Sequence, residues 1–443
     1  MNRFSEARAW AQQAFPHQNA ETVTERPWAI TVRLLSVDQV AYLKIIPGKH
    51  RHCVQFTEAV ADIGEGQTPR VIATDKSRGF LLLADHGGYD LDNYVSVAQR
   101  DEYLRGYAML QGRAAASTKL TAILPSIALD NIVPQFLDFL NTESAKTDPS
   151  TTGAAYFLGR RAAKRYYEAF SAVQQQLEQF VGLAKALPQT LCHCDLRPQN
   201  IAIDTNGRYL FFDWDDASIG PVGFSLHTQF SGCCRAYIAL NHTDDLAQNT
   251  NIKRDSRLLK AYMSGIEEAG LAEADLLHRN LASSICAGAL HYLLSYSDYP
   301  DDSQSYQKTI RNILKRRLSD LLDLCQFLVS DDPKASKRLA EVFAETGRPH
   351  RASALYKQCQ HPDNPPITSD FVSSDNATTN LDSASSNAFP TLGLNKDEIQ
   401  TSHLRENGTE LGANLFSKHC AGETSDVPKI SIARAIAKTG IRS

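Results

Sequence analysis

The stretch from Thr190 to Trp214, TLCHCDLRPQNIAIDTNGRYLFFDW, constrains this chain more than any other. It is an island of strand-forming residues in a half of the chain that otherwise reads as helix. Asn206-Gly207, between Ile201-Ala202-Ile203 and Tyr209-Leu210-Phe211-Phe212, is a strong two-residue hairpin signal. Centring the turn there pairs Ile203 with Leu210 and sets Asn200 opposite Asp213. An amide oxygen and a carboxylate then converge at the open end of the hairpin. Ile201, Ile203, Leu210 and Phe212 share the other face and anchor the register in a core. Such an oxygen pair suits a hard, octahedral ion that keeps some of its waters, Mg²⁺ rather than Zn²⁺. Asp195 lies five residues before Asn200, and Pro198 keeps the intervening loop out of a helix. A second carboxylate beside a metal–phosphate site suits a base or orienting group for an attacking hydroxyl.

The rest of the chain divides around this island. From Trp28 to Ile46 two β-runs, WAITVRLL and QVAYLKII, are followed by a short helix near Val54 to Ile63, and then by two more strands, VIAT and GFLLLAD. After Asp90 helical periodicity dominates, over Glu102–Ala116, Gly159–Leu187, Leu226–Leu240, Asp255–Ala269, Ala274–Tyr296 and Tyr306–Val329. The pattern predicts an α+β chain, a small β-rich lobe and a larger helical one, hinged at Gly87-Gly88. Lys44 sits inside an apolar strand, where an unpaired ammonium is costly. Glu58, on the following helix, is its expected partner and Asp62 the fallback. An exposed edge strand would remove the need for either.

H-x-D-x-x-x-x-N, then a hairpin, then an Asp eighteen residues after the first Asp resembles the catalytic pattern of protein-kinase-like phosphotransferases. HCDLRPQN followed by FFDWDDA resembles in particular the aminoglycoside phosphotransferase and choline kinase family, notably its bacterial members. The likeness extends in layout over Arg26–Val329, with its specific motifs between Leu191 and Gly220. It implies a bilobal kinase-like fold that transfers the γ-phosphate of ATP, with Mg²⁺, to a small-molecule hydroxyl. Residue by residue, it implies Asp195 as catalytic base, Asn200 and Asp213 as metal ligands, and His193 as a prop of the catalytic loop. It also implies that Lys44, paired with Glu58, grips the nucleotide phosphates, and that the backbone from Leu83 to Asp85 meets the adenine. Arg197 either stabilises the transferred phosphate or pairs with Asp195 or Asp216. The chain departs from the pattern where Cys194, Arg197 and Gln199 replace the usual Gly, His and Gly. The hairpin before Lys44, VTERPWAITVRLL, contains no glycine at all. Asp215 and Asp216 either shape an acidic acceptor pocket or cap the next turn.

Composition removes several other classes. The chain carries 46 Lys+Arg against 50 Asp+Glu, a net charge of −4, which argues against nucleic acid as a partner. Its most apolar stretch, Leu281–Leu294, is broken by Ser283, Ser284 and His291, and a membrane span needs about 20 apolar residues. The N-terminal residues read as a short amphipathic docking helix and not as a secretory signal. Nine cysteines without framework spacing point to the reducing cytoplasm. Cys192, Cys194, Cys233 and Cys234 lack the spacing of a zinc knuckle.

The expected organisation is a nucleotide-binding lobe over 1–85 and a helical lobe over 86–330. A helix pair over 331–360 resembles one tetratricopeptide repeat or, more simply, packs on the main domain. A mostly disordered tail, rich in Ser, Thr, Asn and Asp, covers 361–443. A protein partner would use one of these last two regions. The alternative function is therefore a kinase-like pseudoenzyme or nucleotide-binding scaffold. The absent glycine loop and the tail favour it; the intact Asp195, Asn200 and Asp213 oppose it.

Overall fold

The computed structural model describes residues 3–360 apart from 27, 92–94, 142–152, 231, 242–248, 297–303, 330–331 and 346–348. The tail over 361–443 lies outside the described residues. The first lobe runs α1 (Arg3–Ala14), β1 (Asn19–Glu25), β2 (Ile30–Leu35), β3 (Val40–Ile45), α2 (His52–Ala61), β4 (Val71–Asp75) and β5 (Phe80–Ala84). The strands form one five-stranded antiparallel sheet in the order β1-β2-β3-β5-β4.

Strand alternation gives this sheet two unlike faces. Val32, Leu34, Ala41, Leu43, Ile45, Phe80 and Leu82 are buried against Ala7, Ala11 and Phe15, so the amphipathic N-terminal segment is a docking helix as expected. The other face carries Thr31, Arg33, Tyr42, Lys44 and Leu81. β1 was not legible as a strand. It is an edge strand of mostly polar residues with only Thr24 buried, so it shows no apolar period.

The second lobe begins with β6 (Tyr89–Asp90) and the helices α3 (Val97–Ala115), α4 (Thr118–Ile123), α5 (Leu129–Leu140), α6 (Ala154–Leu158), α7 (Arg160–Ala172) and α8 (Gln174–Gly182). Then come β7 (Gln189–Cys192), β8 (Ile201–Ile203), β9 (Tyr209–Phe211) and β10 (Ser218–Pro221). The helices α9 (Cys233–Asn241), α10 (Thr250–Glu268), α11 (Ala274–Ser295) and α12 (Gln304–Leu328) complete it. A small sheet-rich lobe is thus followed by a larger helical one, as the sequence pattern predicts. The apolar stretch Leu281–Leu294 lies within α11, a central helix buried on nearly every side. No described helix is long and apolar enough to cross a membrane. α13 (Pro333–Glu345) and α14 (Pro349–Gln360) pack on each other, and α13 packs on α7, so the helix pair is a terminal addition to the helical lobe. Cys53, Cys192, Cys194, Cys233, Cys234, Cys286 and Cys325 are buried and unbridged.

The connector between lobes is tied down more firmly than a Gly-Gly hinge suggests. A Cβ at Gly88 would lie 1.8 Å from the Ile203 carbonyl oxygen, so glycine permits a close approach there. β6 pairs with β8 just beyond. His86 accepts the Gly88 N–H on Nδ1 at 3.0 Å, which leaves Nε2–H to donate to Asp90 Oδ1, also at 3.0 Å.

Candidate active site

The hairpin forms where expected, but its register is shifted by one residue. Ile201 faces Phe211, Ala202 faces Leu210 and Ile203 faces Tyr209. The cause is Asp204. Its Oδ1 accepts the N–H groups of Asn206 (2.8 Å) and Arg208 (2.9 Å), and its Oδ2 accepts Arg208 Nε (2.9 Å). Gly207 N–H donates to Asp204 O at 3.0 Å, and Gly207 has φ of +78°. The connection is thus a three-residue loop ending in a left-handed glycine, not a two-residue turn on Asn206-Gly207. A slip of one residue exchanges faces. Asn200 therefore lies opposite Phe212, whose N–H donates to Asn200 O at 3.0 Å. Asp213 follows the ladder and is left-handed, with φ of 66°. It heads a helical turn, Trp214–Asp216, fixed by the fully buried Trp214, whose indole N–H donates to Phe211 O at 2.9 Å.

That turn presents two carboxylates to Lys44. Lys44 Nζ lies 2.6 Å from Asp213 Oδ1 and 2.7 Å from Asp215 Oδ2. Burial pushes the ammonium down, but the two aspartates together outweigh it and hold Lys44 above the ordinary lysine range. The expected partner Glu58 makes no ion pair with Lys44. The neighbouring strand β4 and the turn after it draw its carboxylate to Lys76 (2.5 Å) and the Thr74 hydroxyl (2.9 Å). Asp62, the fallback, pairs with Lys119. Asp215 thus faces the strand lysine. Cys53 on α2 donates its thiol to Asp215 O at 3.5 Å and ties the turn to the first lobe.

The loop carrying Asp195 is held from several sides. Asp195 is 2% exposed, and both its oxygens are engaged: Oδ1 accepts Arg197 Nε at 3.0 Å and Oδ2 accepts Asn200 Nδ2 at 2.8 Å. With the amide nitrogen turned to Asp195, the Oδ1 of Asn200 is its remaining acceptor. His193 Nε2–H donates to Phe212 O at 2.9 Å and its ring lies 4.4 Å from that of Trp214. Burial holds this imidazole below the ordinary histidine range. It does bridge the loop to the strand beside it. Cys194, at the usual glycine position, has φ of 62°, which explains the glycine preference there.

Three groups in this neighbourhood left no trace in the local motif. His193 N–H donates to Tyr107 Oη at 3.0 Å and Cys194 N–H donates to Ser225 Oγ at 3.2 Å, so α3 and the turn after β10 cradle the loop. Arg197 also donates to Tyr292 Oη on α11 at 3.2 Å. The contacts cross 86, 31 and 95 residues, beyond the reach of spacing arguments.

The N–H groups of Ala84 and Asp85 are committed to Arg70 O (2.9 Å) and Val40 O (3.2 Å), and Leu83 pairs with Tyr42. In the glycine-free hairpin, Arg26 N–H donates to Ala29 O at 2.9 Å. Trp28 at its tip lies 6.4 Å, ring to ring, from Tyr306 on α12, so the hairpin reaches the helical lobe.

His227 packs against Tyr292 with ring centroids 5.2 Å apart and the rings tilted by 45°. It is 1% exposed, and burial pushes its pKa down to about 3. A histidine depressed in the folded state supports folding above its unfolded value and loses that support as pH falls. Between the ordinary value near 6.5 and pH 5, His227 is expected to remove about 2 kcal/mol of stability. Denaturant midpoints over this range should fall more steeply for wild type than for His227→Gln.

Residues 41–226 match the profile of the phosphotransferase enzyme family. No curated protein matches the chain. Among solved structures, a choline/ethanolamine kinase family protein from Mesorhizobium loti is similar at 17% identity, covering 77% of this chain and 99% of its own, with a TM-score of 0.45. The Plasmodium vivax ethanolamine kinase is 11% identical, with 71% and 88% covered and a TM-score of 0.47. A spectinomycin phosphotransferase solved with ADP and spectinomycin is 13% identical, with 80% and 98% covered and a TM-score of 0.39.

Proposed function

We propose that a chain whose residues 41–226 carry the module of the phosphotransferase enzyme family uses it to move the γ-phosphate of ATP to a hydroxyl of a small molecule. The observation that carries this reading is the double ion pair from Lys44 to Asp213 and Asp215. It brings the strand lysine of one lobe and the aspartate after the hairpin of the other to one point. Asn200, Asp213 and Asp215 offer only oxygen donors, and Asp215 Oδ1 is buried with no partner among the described residues. Such a set fits Mg²⁺, with Asn200 and Asp213 as the residues that would hold it. The ion would neutralise charge on the phosphates.

The chain's own residues do the rest. Lys44 spends two of its three N–H donors on Asp213 and Asp215 and has one left for a phosphate oxygen. Arg197 and Asn200 each take one lone pair of an Asp195 oxygen, which orients the carboxylate and leaves further lone pairs to accept an acceptor hydroxyl's proton. Arg197, fixed by Asp195 and Tyr292, would also stabilise charge on the transferred group. Positioning and charge stabilisation are what phosphoryl transfer requires.

Thermal unfolding with and without millimolar Mg·ATP tests the reading. Wild type should gain on the order of 1–3 kcal/mol, a few degrees, and Asp213→Ala should gain none. If neither protein shifts, the scaffold reading takes its place.

A further inference from the structure

A phosphate-binding hairpin normally uses glycines so that backbone N–H groups can approach the ligand. The β1–β2 hairpin has none, yet the sheet face beneath it holds side-chain donors of its own. Thr31 on β2 lies directly opposite Lys44 on β3. Directly opposed residues share a face, with Cβ atoms about 5 Å apart. That face is the one from which Lys44 reaches Asp213 and Asp215, since Val32 and Leu34 point to α1 on the other. Thr31 is 3% exposed, and its hydroxyl is buried with no hydrogen-bond partner among the described residues. Arg33, two residues on and on the same face, has its Nε buried and unpartnered as well, while its guanidinium tip lies 3.7 Å from Glu21. A buried hydroxyl without a partner costs about 1–3 kcal/mol, and native structures rarely keep one without a use.

We propose that Thr31, seconded by Arg33, is the phosphate-binding element that stands in for the glycine loop: its hydroxyl donates to a phosphate oxygen of the nucleotide held by Lys44. The inference rests on the proposed function, because it assigns a contact within that nucleotide site. It accounts for how a glycine-free hairpin can serve a triphosphate. A side-chain hydroxyl and a guanidinium N–H supply the donors that backbone would otherwise supply.

The test compares wild type, Thr31→Val and Thr31→Ser by calorimetric titration with Mg·ATP and with adenosine, and by denaturant unfolding without ligand. Valine keeps the β-branched shape and removes the hydroxyl. Thr31→Val is expected to bind Mg·ATP about tenfold more weakly, as loss of a hydrogen bond to a charged group implies. It should bind adenosine as wild type does, and its ligand-free unfolding midpoint should rise because an unpartnered buried group is gone. Thr31→Ser should keep Mg·ATP affinity. A Thr31→Val protein that binds ATP as tightly as wild type, or that loses ATP and adenosine equally, overturns the assignment. If wild type binds no ATP, the proposed function falls, and inorganic tripolyphosphate decides the subsite. Weaker tripolyphosphate binding by Thr31→Val then supports it, and equal or absent binding overturns it.

Discussion

Asp195→Asn is expected to lower ATP turnover by roughly 10²–10⁴-fold, the range contributed by a positioned base, whichever hydroxyl acceptor or water is used to follow it. The geometry makes the prediction sharper than a general-base assignment alone. Both groups that hold the carboxylate are donors, Arg197 Nε at 3.0 Å and Asn200 Nδ2 at 2.8 Å. An asparagine can satisfy one of them with its carbonyl oxygen and must turn its own NH₂ towards the other. One hydrogen bond is therefore lost at a buried position, and the variant should also lose about 1–3 kcal/mol of stability. Turnover and unfolding midpoint should be measured on the same preparation, with the nucleotide dissociation constant as a third reading. Binding within a few-fold of wild type beside a collapse of turnover places the loss in the chemical step. Turnover unchanged in this variant would remove Asp195 from the reaction and favour the scaffold.

The same loop shows where sequence reasoning reached and where it stopped. The fold was legible because it depends on local patterns: alternation in ITVRLL and VAYLKI, a helical period after Asp90, and Asn-Gly between two short apolar runs. The one-residue error in hairpin register was also local, but it turned on a side chain. Asn206-Gly207 favours a two-residue turn by backbone preference, and Asp204 overrides it by accepting two backbone N–H groups and Arg208. Asp213 reaches the site through a left-handed turn after the strand, not as the cross-strand partner of Asn200.

The partner of Lys44 was misplaced for a different reason. Glu58 is the nearest acidic residue on the following helix, and sequence proximity favours it. Asp213 and Asp215 are 169 and 171 residues away, and only assembly of the two lobes brings them in. Local signals could not reveal that β4 and the turn beyond it would divert Glu58. Tyr107, Ser225 and Tyr292 were missed on the same ground, since each supports the loop carrying Asp195 from a distant helix or turn.

Lys44→Met should be the most destabilising single change in the site, by about 3–5 kcal/mol, as when one member of a buried ion pair is removed. Methionine fills a similar volume and keeps the stem packed in the sheet, so the deficit reports charge and not a cavity. In wild type the ammonium lies 2.6 Å from Asp213 and 2.7 Å from Asp215, and it offsets both. Without it, two carboxylates two residues apart share a partly buried site and lose the ammonium that lay between them. The sign of the pH dependence follows. Wild-type Lys44, held above its ordinary range, contributes fully at neutral pH and loses its contribution only as pH rises through that raised value. In the variant, acidification protonates one of the two carboxylates and relieves their repulsion. The stability gap between wild type and Lys44→Met should therefore be widest near pH 7 and above, and narrow as pH falls towards 4. Chemical denaturation at a series of pH values measures it directly. A gap that stays constant across this range would mean that the lost contribution is packing, and the double ion pair would then not be what holds the two lobes to one point. Adding Asp215→Asn to Lys44→Met gives the complementary reading: it should recover part of the lost stability, because it removes the repulsion at its source.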